Sequence, residues 1–119
     1  MSGTVYLVSR LAIEKGQSDA FKKHARELIA FVRDTQPGTL IYEWYLEQDE
    51  NACTIVQSFR DSSAFVAHVE SGGEVTRQFL KTCRFIQVDF YGDVSDDLRE
   101  MAKTWSAGIV PYHAGFSRM

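Results

Sequence analysis

The chain has 119 residues, with 13 Lys and Arg against 16 Asp and Glu, and a formal net charge of −3. With 45% hydrophobic and 24% charged residues, it has the composition of one globular domain and not of a disordered segment. The acidic balance argues against nucleic-acid binding, and no apolar run approaches the roughly 20 residues of a membrane span. No secretory signal is recognisable, so we expect a cytoplasmic protein in which Cys53 and Cys83 stay reduced.

The N-terminal half of the chain predicts a strand, a helix and two more strands. Residues 5–13 are β-branched and aromatic, which is typical of a strand. Residues 17–33 repeat apolar side chains at intervals of three and four, which predicts a helix with one buried face. The Pro37-Gly38 turn leads into a predicted strand at residues 39–47, and a polar loop separates this strand from another at residues 53–60.

The C-terminal half predicts a second helix, a fourth strand and an extension. Asp61 begins an N-cap cluster for a helix through residues 64–70, and a further helical turn or two follows. Residues 85–91 predict the fourth strand. Residues 95–103 predict a short capped helix, and the apolar tail over residues 104–119 is predicted to be an edge strand or an arm.

This order of elements predicts an α+β fold, the ferredoxin-like β-α-β-β-α-β sandwich with four antiparallel strands and both helices on one face. We expect residues 1–94 to form this domain. Residues 95–119 would form a short helix and arm, packed on the same domain or on a partner subunit. Trp105 and Tyr112 in this extension would serve either in a lid over a pocket or in an arm that reaches the partner.

Both faces of the predicted sheet carry large apolar side chains, which favours a covering layer on each face. A second copy related by a two-fold axis would cover the face away from the helices and form a dimeric α/β barrel. The alternative is that the C-terminal tail covers it. Arg10 on this face is expected to pair with Glu43 or Asp89. The residues expected to share the other side of the second strand are Leu40, Tyr42, Trp44 and Leu46.

A recurring pattern runs through the middle of the chain. It consists of a Pro-Gly turn, a strand with a Tyr-Glu pair, a strand that closes on an aromatic residue, and a helix with Ala and His four apart. Its residues are Pro37, Gly38, Tyr42, Glu43, Phe59, Ala64 and His68. Over residues 5–91 the sequence resembles the antibiotic biosynthesis monooxygenase (ABM) domain of the dimeric α/β-barrel superfamily. The resemblance implies a homodimer through the sheet face and a cofactor-free monooxygenase that acts on or binds a small aromatic molecule.

The sequence departs from the family pattern at three places. Gln57 stands where the family often has Glu, and Phe59 closes its strand where the family often has Trp. Haem-degrading members use an Asn from the first strand, and residues 5–13 contain none, which argues against haem degradation. The three histidines lie far apart in the sequence and no glycine-rich phosphate loop is present, so we expect no metal and no cofactor.

His68 is the candidate catalytic residue, because an imidazole on this helix can act as a general base or hydrogen-bond a phenol. Tyr42, Trp44, His24 and Phe65 are the candidate ligand-binding residues. The alternative is that these side chains are only core, with His68 a helix-packing residue. The chain would then be a non-catalytic small-molecule-binding or stress-associated homodimeric module. An open cavity between Tyr42, Trp44 and His68 would favour the enzyme, and a filled one the module.

Overall fold

The computed structural model describes residues 3–118 and contains a five-stranded sheet with helices on one face. The strands are β1 (Val5–Ile13), β2 (Thr39–Leu46), β3 (Ala52–Phe59), β4 (Cys83–Gly92) and β5 (Gly108–Val110). The helices are α1 (Ser18–Thr35), α2 (Ser62–Glu70), α3 (Gly73–Leu80) and α4 (Asp96–Thr104).

The strand order across the sheet is β2-β3-β1-β4-β5. The first four strands pair antiparallel, which confirms the predicted α+β, ferredoxin-like order of elements. The predicted edge strand or arm is the short strand β5, which pairs in parallel with β4. The sheet is therefore mixed, because the four predicted antiparallel strands are joined by an edge strand whose direction the sequence does not predict.

The core lies between the sheet and the helices, because β1 alternates buried and more exposed residues along its length. The buried positions of β1 meet the predicted apolar stripe of α1 near one end of the sheet. Near the other end they meet Phe65 of α2 and Leu98 of α4. Helix α4 and strand β5 therefore share a core with β1, β3 and β4. The buried α1 residues are Phe21, Ala25, Leu28 and Val32.

Side-chain caps fix where two helices begin. Asp61 Oδ1 accepts a hydrogen bond from Ala64 N at 2.8 Å, which starts α2 as predicted. Ser95 Oγ accepts from Leu98 N at 3.2 Å and starts α4 in the same way. Helix α1 ends at Thr35, with Gln36 as its C-cap, because Pro37 disfavours a helical conformation at the residue before it.

A bulge in β2 corrects one predicted side-chain direction. The register of β2 against β3 shifts between Thr39 and Ile41, so Leu40 falls outside the pairing and is 57% exposed. A bulge adds one residue to one strand and interrupts the alternation of faces. Tyr42 and Trp44 lie opposite Gln57 and Ile55 of β3, which face the helices, as the sequence predicts for this side of the strand.

The face of the sheet away from the helices carries tyrosines and mixed polar side chains. Arg10 on this face pairs with Glu47, with 2.9 Å between Nη1 and Oε2, and not with Glu43 or Asp89 as predicted. The register explains the difference, because Arg10, Thr54 and Tyr45 lie in one row and Glu47 is the next position after Tyr45 on the same side. None of the helices described between residues 3 and 118 combines the length and the apolar character of a membrane span.

Candidate functional site

His68 lies among aromatic rings on the helix-covered side of the sheet. Its ring centroid is 5.5 Å from that of Tyr42, 5.3 Å from that of Phe59 and 6.0 Å from that of Phe65. The Tyr42 ring in turn lies 5.7 Å from the Trp44 ring in an edge-on arrangement. We call these five residues the His68 cluster. It brings together four of the five predicted site residues, namely His68, Tyr42, Trp44 and Phe65.

Local sequence features explain why these side chains meet. Phe65 and His68 are three residues apart on α2 and share one face of that helix. Tyr42 and Trp44 are two residues apart on β2 and point to the same side of the sheet. Gly38 lets the start of β2 approach α2, since a Cβ atom there would lie 2.8 Å from the Cβ of Ala64.

The structure places the remaining candidate, His24, apart from this cluster. His24 lies on α1 with its Nδ1 atom 2.9 Å from Oε1 of Glu27, one helical turn away. Among the described residues, its ring makes none of the aromatic contacts that join the His68 cluster. The geometry therefore gives no support to a ligand-binding role for His24.

Burial sets the protonation of the cluster's two titratable groups. Desolvation lowers the pKa of His68 to about 4, so its imidazole is neutral near pH 7. Desolvation also raises the pKa of Tyr42 well above its usual range, so its hydroxyl keeps the proton. The cluster thus offers neutral donors and acceptors and no fixed charge.

Two buried polar atoms, one within the His68 cluster and one beside it, have no hydrogen-bond partner among the described residues. They are Nε1 of Trp44 and Oε1 of Gln57. Gln57 is 5% exposed and lies directly opposite Tyr42 in the β2–β3 pairing. An unsatisfied buried polar group costs about 1–3 kcal/mol, so each atom would gain from a partner.

Gln57 is the residue that sequence reasoning overlooked as a site residue and recorded only as a departure from a family pattern. The available signal was its position, because it is an amide on the inward side of β3, where the other side chains are apolar.

The rings of the cluster touch one another, so its own side chains occupy the space between Tyr42, Trp44 and His68. These three side chains are nevertheless only partly buried. A cavity of about 210 Å³ lies next to the cluster, beside Gln36, Gly38 and Ser71. A ligand would therefore reach His68 by displacing ring edges and not by entering a large preformed chamber.

A second groove lies on the other side of the sheet. Its volume is about 510 Å³, and the C-terminal tail forms one wall opposite Tyr6 and Tyr91. Tyr112 holds the tail in shape, because its hydroxyl donates to the Gly115 carbonyl at 2.8 Å. Trp105, predicted to be in a lid or an arm, packs edge-on against Phe65 of the His68 cluster, with 6.0 Å between ring centroids.

The cysteines and the acidic residues add no further chemistry to the site. Cys53 and Cys83 are buried and free, and desolvation raises the pKa of each thiol to about 11, which keeps both protonated and unreactive. Within residues 3–118, no group of three or more His, Cys, Asp or Glu side chains could hold a metal ion.

A family model described as antibiotic biosynthesis monooxygenase matches residues 4–81. The chain belongs to the ABM family. The match covers more than half of the chain and includes every residue of the His68 cluster. It confirms the family that the sequence resembles. No curated protein sequence matches this ABM protein.

Solved structures show the same fold at low sequence identity. MupZ from Pseudomonas fluorescens is 17% identical with a TM-score of 0.88, and the match covers 98% of this chain and 96% of MupZ. SnoaB, a cofactor-independent oxygenase from Streptomyces nogalater, is 18% identical with a TM-score of 0.65 over 75% of this chain and 91% of SnoaB. Protein SO0527 from Shewanella oneidensis is 21% identical with a TM-score of 0.63 over 76% and 91% of the two chains.

The MupZ match covers 98% of this ABM protein and so includes its C-terminal extension. The SnoaB match covers only three quarters of the chain. Helix α4, strand β5 and the tail are therefore structural features shared with MupZ. At these identities the similarity establishes the fold, and the chemistry has to be argued from the site.

Proposed function

We propose that this ABM protein is a cofactor-independent monooxygenase that acts on a small aromatic molecule with a hydroxyl group next to an acidic C–H bond. The observation that carries the proposal is the neutral imidazole of His68 enclosed by aromatic rings. The imidazole lone pair can accept a hydrogen bond from a phenol or an enol. It can take up the proton when the anion formed beside it offsets the burial that disfavours the charged ring. Family membership and the description of SnoaB as a cofactor-independent oxygenase support the same reaction class.

The reaction needs no electrons from the protein, because the substrate is the reductant. Loss of a proton to His68 leaves a carbanion stabilised by the aromatic system, and this anion transfers electrons to O₂. One oxygen atom forms a new carbonyl group on the carbon and the other leaves as water, so that R₂CH₂ and O₂ give R₂C=O and H₂O. The proton taken by His68 returns to the oxygen that leaves.

The neighbouring donors suit the charge that develops on the substrate. The Tyr42 hydroxyl keeps its proton because burial raises its pKa, and Nε1 of Trp44 is a buried donor without a partner. Both can donate to an oxyanion on the ring of the bound substrate, and a buried setting strengthens such bonds. Apolar surroundings also keep water away from the carbanion.

Oxygen uptake tests this proposal. The protein, treated with a chelator and free of flavin, is mixed with a hydroxylated anthrone as the probe, and O₂ consumption and quinone formation are followed together. We expect one O₂ consumed for each quinone formed, at a rate well above that of buffer. Protein that binds the probe but leaves O₂ uptake at the rate of buffer would show that this reaction is not its function.

A non-catalytic binding module is the second candidate, and the direct contacts among Tyr42, Trp44 and His68 favour it. In that case the cluster would open to hold an aromatic molecule without changing it. Quenching of Trp44 fluorescence by the probe under nitrogen measures such binding, with a Trp105→Phe variant removing the other indole. Tight binding with no turnover in air would support the module over the enzyme.

We also propose that the protein is a homodimer that acts in the cytoplasm. The sheet face away from the helices exposes large apolar side chains, such as Tyr45 at 56%, together with Tyr91 and Val110. Two such faces brought together would bury them, and large apolar patches on a monomer are uncommon. The free buried cysteines fit a reducing compartment.

The solution mass tests the dimer. We expect twice the 13.5 kDa of one chain. Val56 lies on the open face, between Val8 and Glu43 in the strand pairing. Val56→Asp would bury one added carboxylate from each subunit in the proposed interface, where the two would repel each other. We expect this variant to be a monomer at micromolar concentration. The matched change Val69→Asp, on the exposed side of α2, should leave the dimer intact. A wild-type protein with the mass of one chain would refute the proposed dimer.

A further inference from the structure

The side chain of Gln36, the C-cap residue of α1, hydrogen-bonds to one ring nitrogen of His68. Oε1 of Gln36 lies 2.7 Å from Nδ1 of His68. A second hydrogen bond fixes the orientation of the Gln36 amide, because its Nε2 donates to Oγ of Ser71 at 2.7 Å. The Ser71 hydroxyl uses its own proton to donate to the His68 carbonyl at 3.2 Å, so it can only accept from Gln36.

This orientation decides which ring nitrogen carries the proton. An amide oxygen only accepts hydrogen bonds, so Nδ1 of His68 must be the donor. The Thr39 hydroxyl donates to the same amide oxygen at 3.3 Å, as expected if that atom is oxygen and not nitrogen. In a neutral imidazole with Nδ1 protonated, Nε2 keeps a lone pair and acts as an acceptor or base.

Nε2 lies on the far side of the ring from the Gln36 bond. The rings in contact with the imidazole belong to Tyr42, Phe59 and Phe65, and among the described residues none of them donates a hydrogen bond to it. We propose that Gln36 is a positioning residue that fixes His68 as the Nδ1–H tautomer, so that Nε2 presents a lone pair to the hydroxyl of a phenol or enol. The phenol or enol as ligand rests on the proposed function, whereas the assignment of the Nδ1–H tautomer does not.

The groups that face His68 carry no charge that could replace Gln36 in this role. From β2 the contacting titratable group is Tyr42, which burial keeps protonated, and from β3 and α2 the contacts are Phe59 and Phe65. Four charged side chains on the adjoining segments are exposed, namely Arg33, Asp34, Arg60 and Glu70. The half-buried carboxylate of Asp61 is engaged as the cap of α2, where it accepts a hydrogen bond from Ala64 N.

Nuclear magnetic resonance of the ¹⁵N-labelled full chain reads the tautomer directly, because long-range ¹H–¹⁵N correlations distinguish the two forms of each imidazole. We expect His68 of the wild type to show Nδ1 protonated and Nε2 bare near neutral pH. Assignment uses His68→Gln. The resonances of His24, whose Nδ1 bonds to Glu27, serve as an internal reference that the variants below should leave unchanged.

Two substitutions at Gln36 separate positioning from packing. Gln36→Leu keeps the bulk but removes the acceptor, so we expect the Nε2–H tautomer to become substantially populated. Gln36→Glu keeps the acceptor and adds a negative charge, so we expect the Nδ1–H tautomer to persist and the pKa of His68 to rise by about one to three units. A purely structural residue would give neither change.

The inference is overturned by a wild-type His68 with Nε2 protonated, or by the same tautomer and the same pKa in wild type, Gln36→Leu and Gln36→Glu. If Gln36→Leu does not fold, Ser71→Ala provides the second variant, because it releases the amide nitrogen and should shift the tautomer in the same direction. The result is independent of the proposed oxygenase, since the spectra need no substrate. A fixed tautomer in a protein that does not consume O₂ would leave this inference standing and remove the function.

Discussion

Replacement of His68 by glutamine is expected to lower the turnover of a verified substrate by about 10²–10⁴-fold, the usual contribution of a general base. His68 is neutral near pH 7 and touches the rings that would hold the substrate, so it is the group placed to take the proton. Glutamine keeps a similar volume and can still hydrogen-bond, but it cannot accept a proton. Steady-state oxygen uptake measures kcat and KM, and the loss should fall on kcat.

Two further variants make this measurement decisive. Tyr42→Phe removes a donor to the substrate oxyanion and should lower kcat by a smaller factor, because Nε1 of Trp44 remains. His113→Gln changes an exposed histidine in the C-terminal tail and should leave turnover unchanged. A His68→Gln protein with wild-type kcat on the same substrate would remove this residue from the mechanism.

The second large effect is on stability at acid pH. Burial lowers the pKa of His68 from 6.5 to about 4, whereas the unfolded chain takes up the proton near pH 6.5. As the pH falls from 6.5 to 4, the unfolded state gains a proton that the folded state does not, so the free energy of unfolding falls. A shift of this size corresponds to about 3 kcal/mol, present above pH 6.5 and lost by about pH 4.

Urea denaturation at pH 7, 5.5 and 4 measures this loss. Acidic groups also titrate towards the lower end of this range, so the quantity of interest is the difference between wild type and His68→Gln. The variant should lose about 3 kcal/mol less over the same interval, whatever its stability at pH 7. His113→Gln should follow the wild type, and parallel curves for wild type and His68→Gln would contradict the burial of a neutral imidazole.

Much of the fold could be predicted because the local signals agreed with one another. The apolar spacing of α1, the Asp61 cap and the β-branched strands each specify one element without help from distant contacts. The positions of Tyr42 and Trp44 also followed from the alternation along a strand. Family membership confirms the resemblance carried by the Pro-Gly turn and the helix with Ala64 and His68.

The features that sequence reasoning missed depend on contacts between distant segments. The bulge at Leu40 arises from the pairing of β2 with β3, and a local pattern gives no sign of it. Arg10 pairs with Glu47 because β1, β3 and β2 place Arg10, Thr54 and Tyr45 in one row, with Glu47 at the next position on that side. The hydrogen bond between Gln36 and His68 joins two residues that are 32 positions apart in the chain, and an amide beside a proline carries no motif that would reveal it.

Strand β5 has a consequence for how the chain is made. The edge of β4 that β5 covers offers unpaired backbone groups to any neighbouring chain until the segment around residue 109 has left the ribosome. Nascent chains on one messenger RNA lie close together, and such an edge is a template for pairing between them. Strand β5 therefore covers this part of the β4 edge, so that termination near residue 100 would harm solubility more than the loss of a three-residue strand suggests.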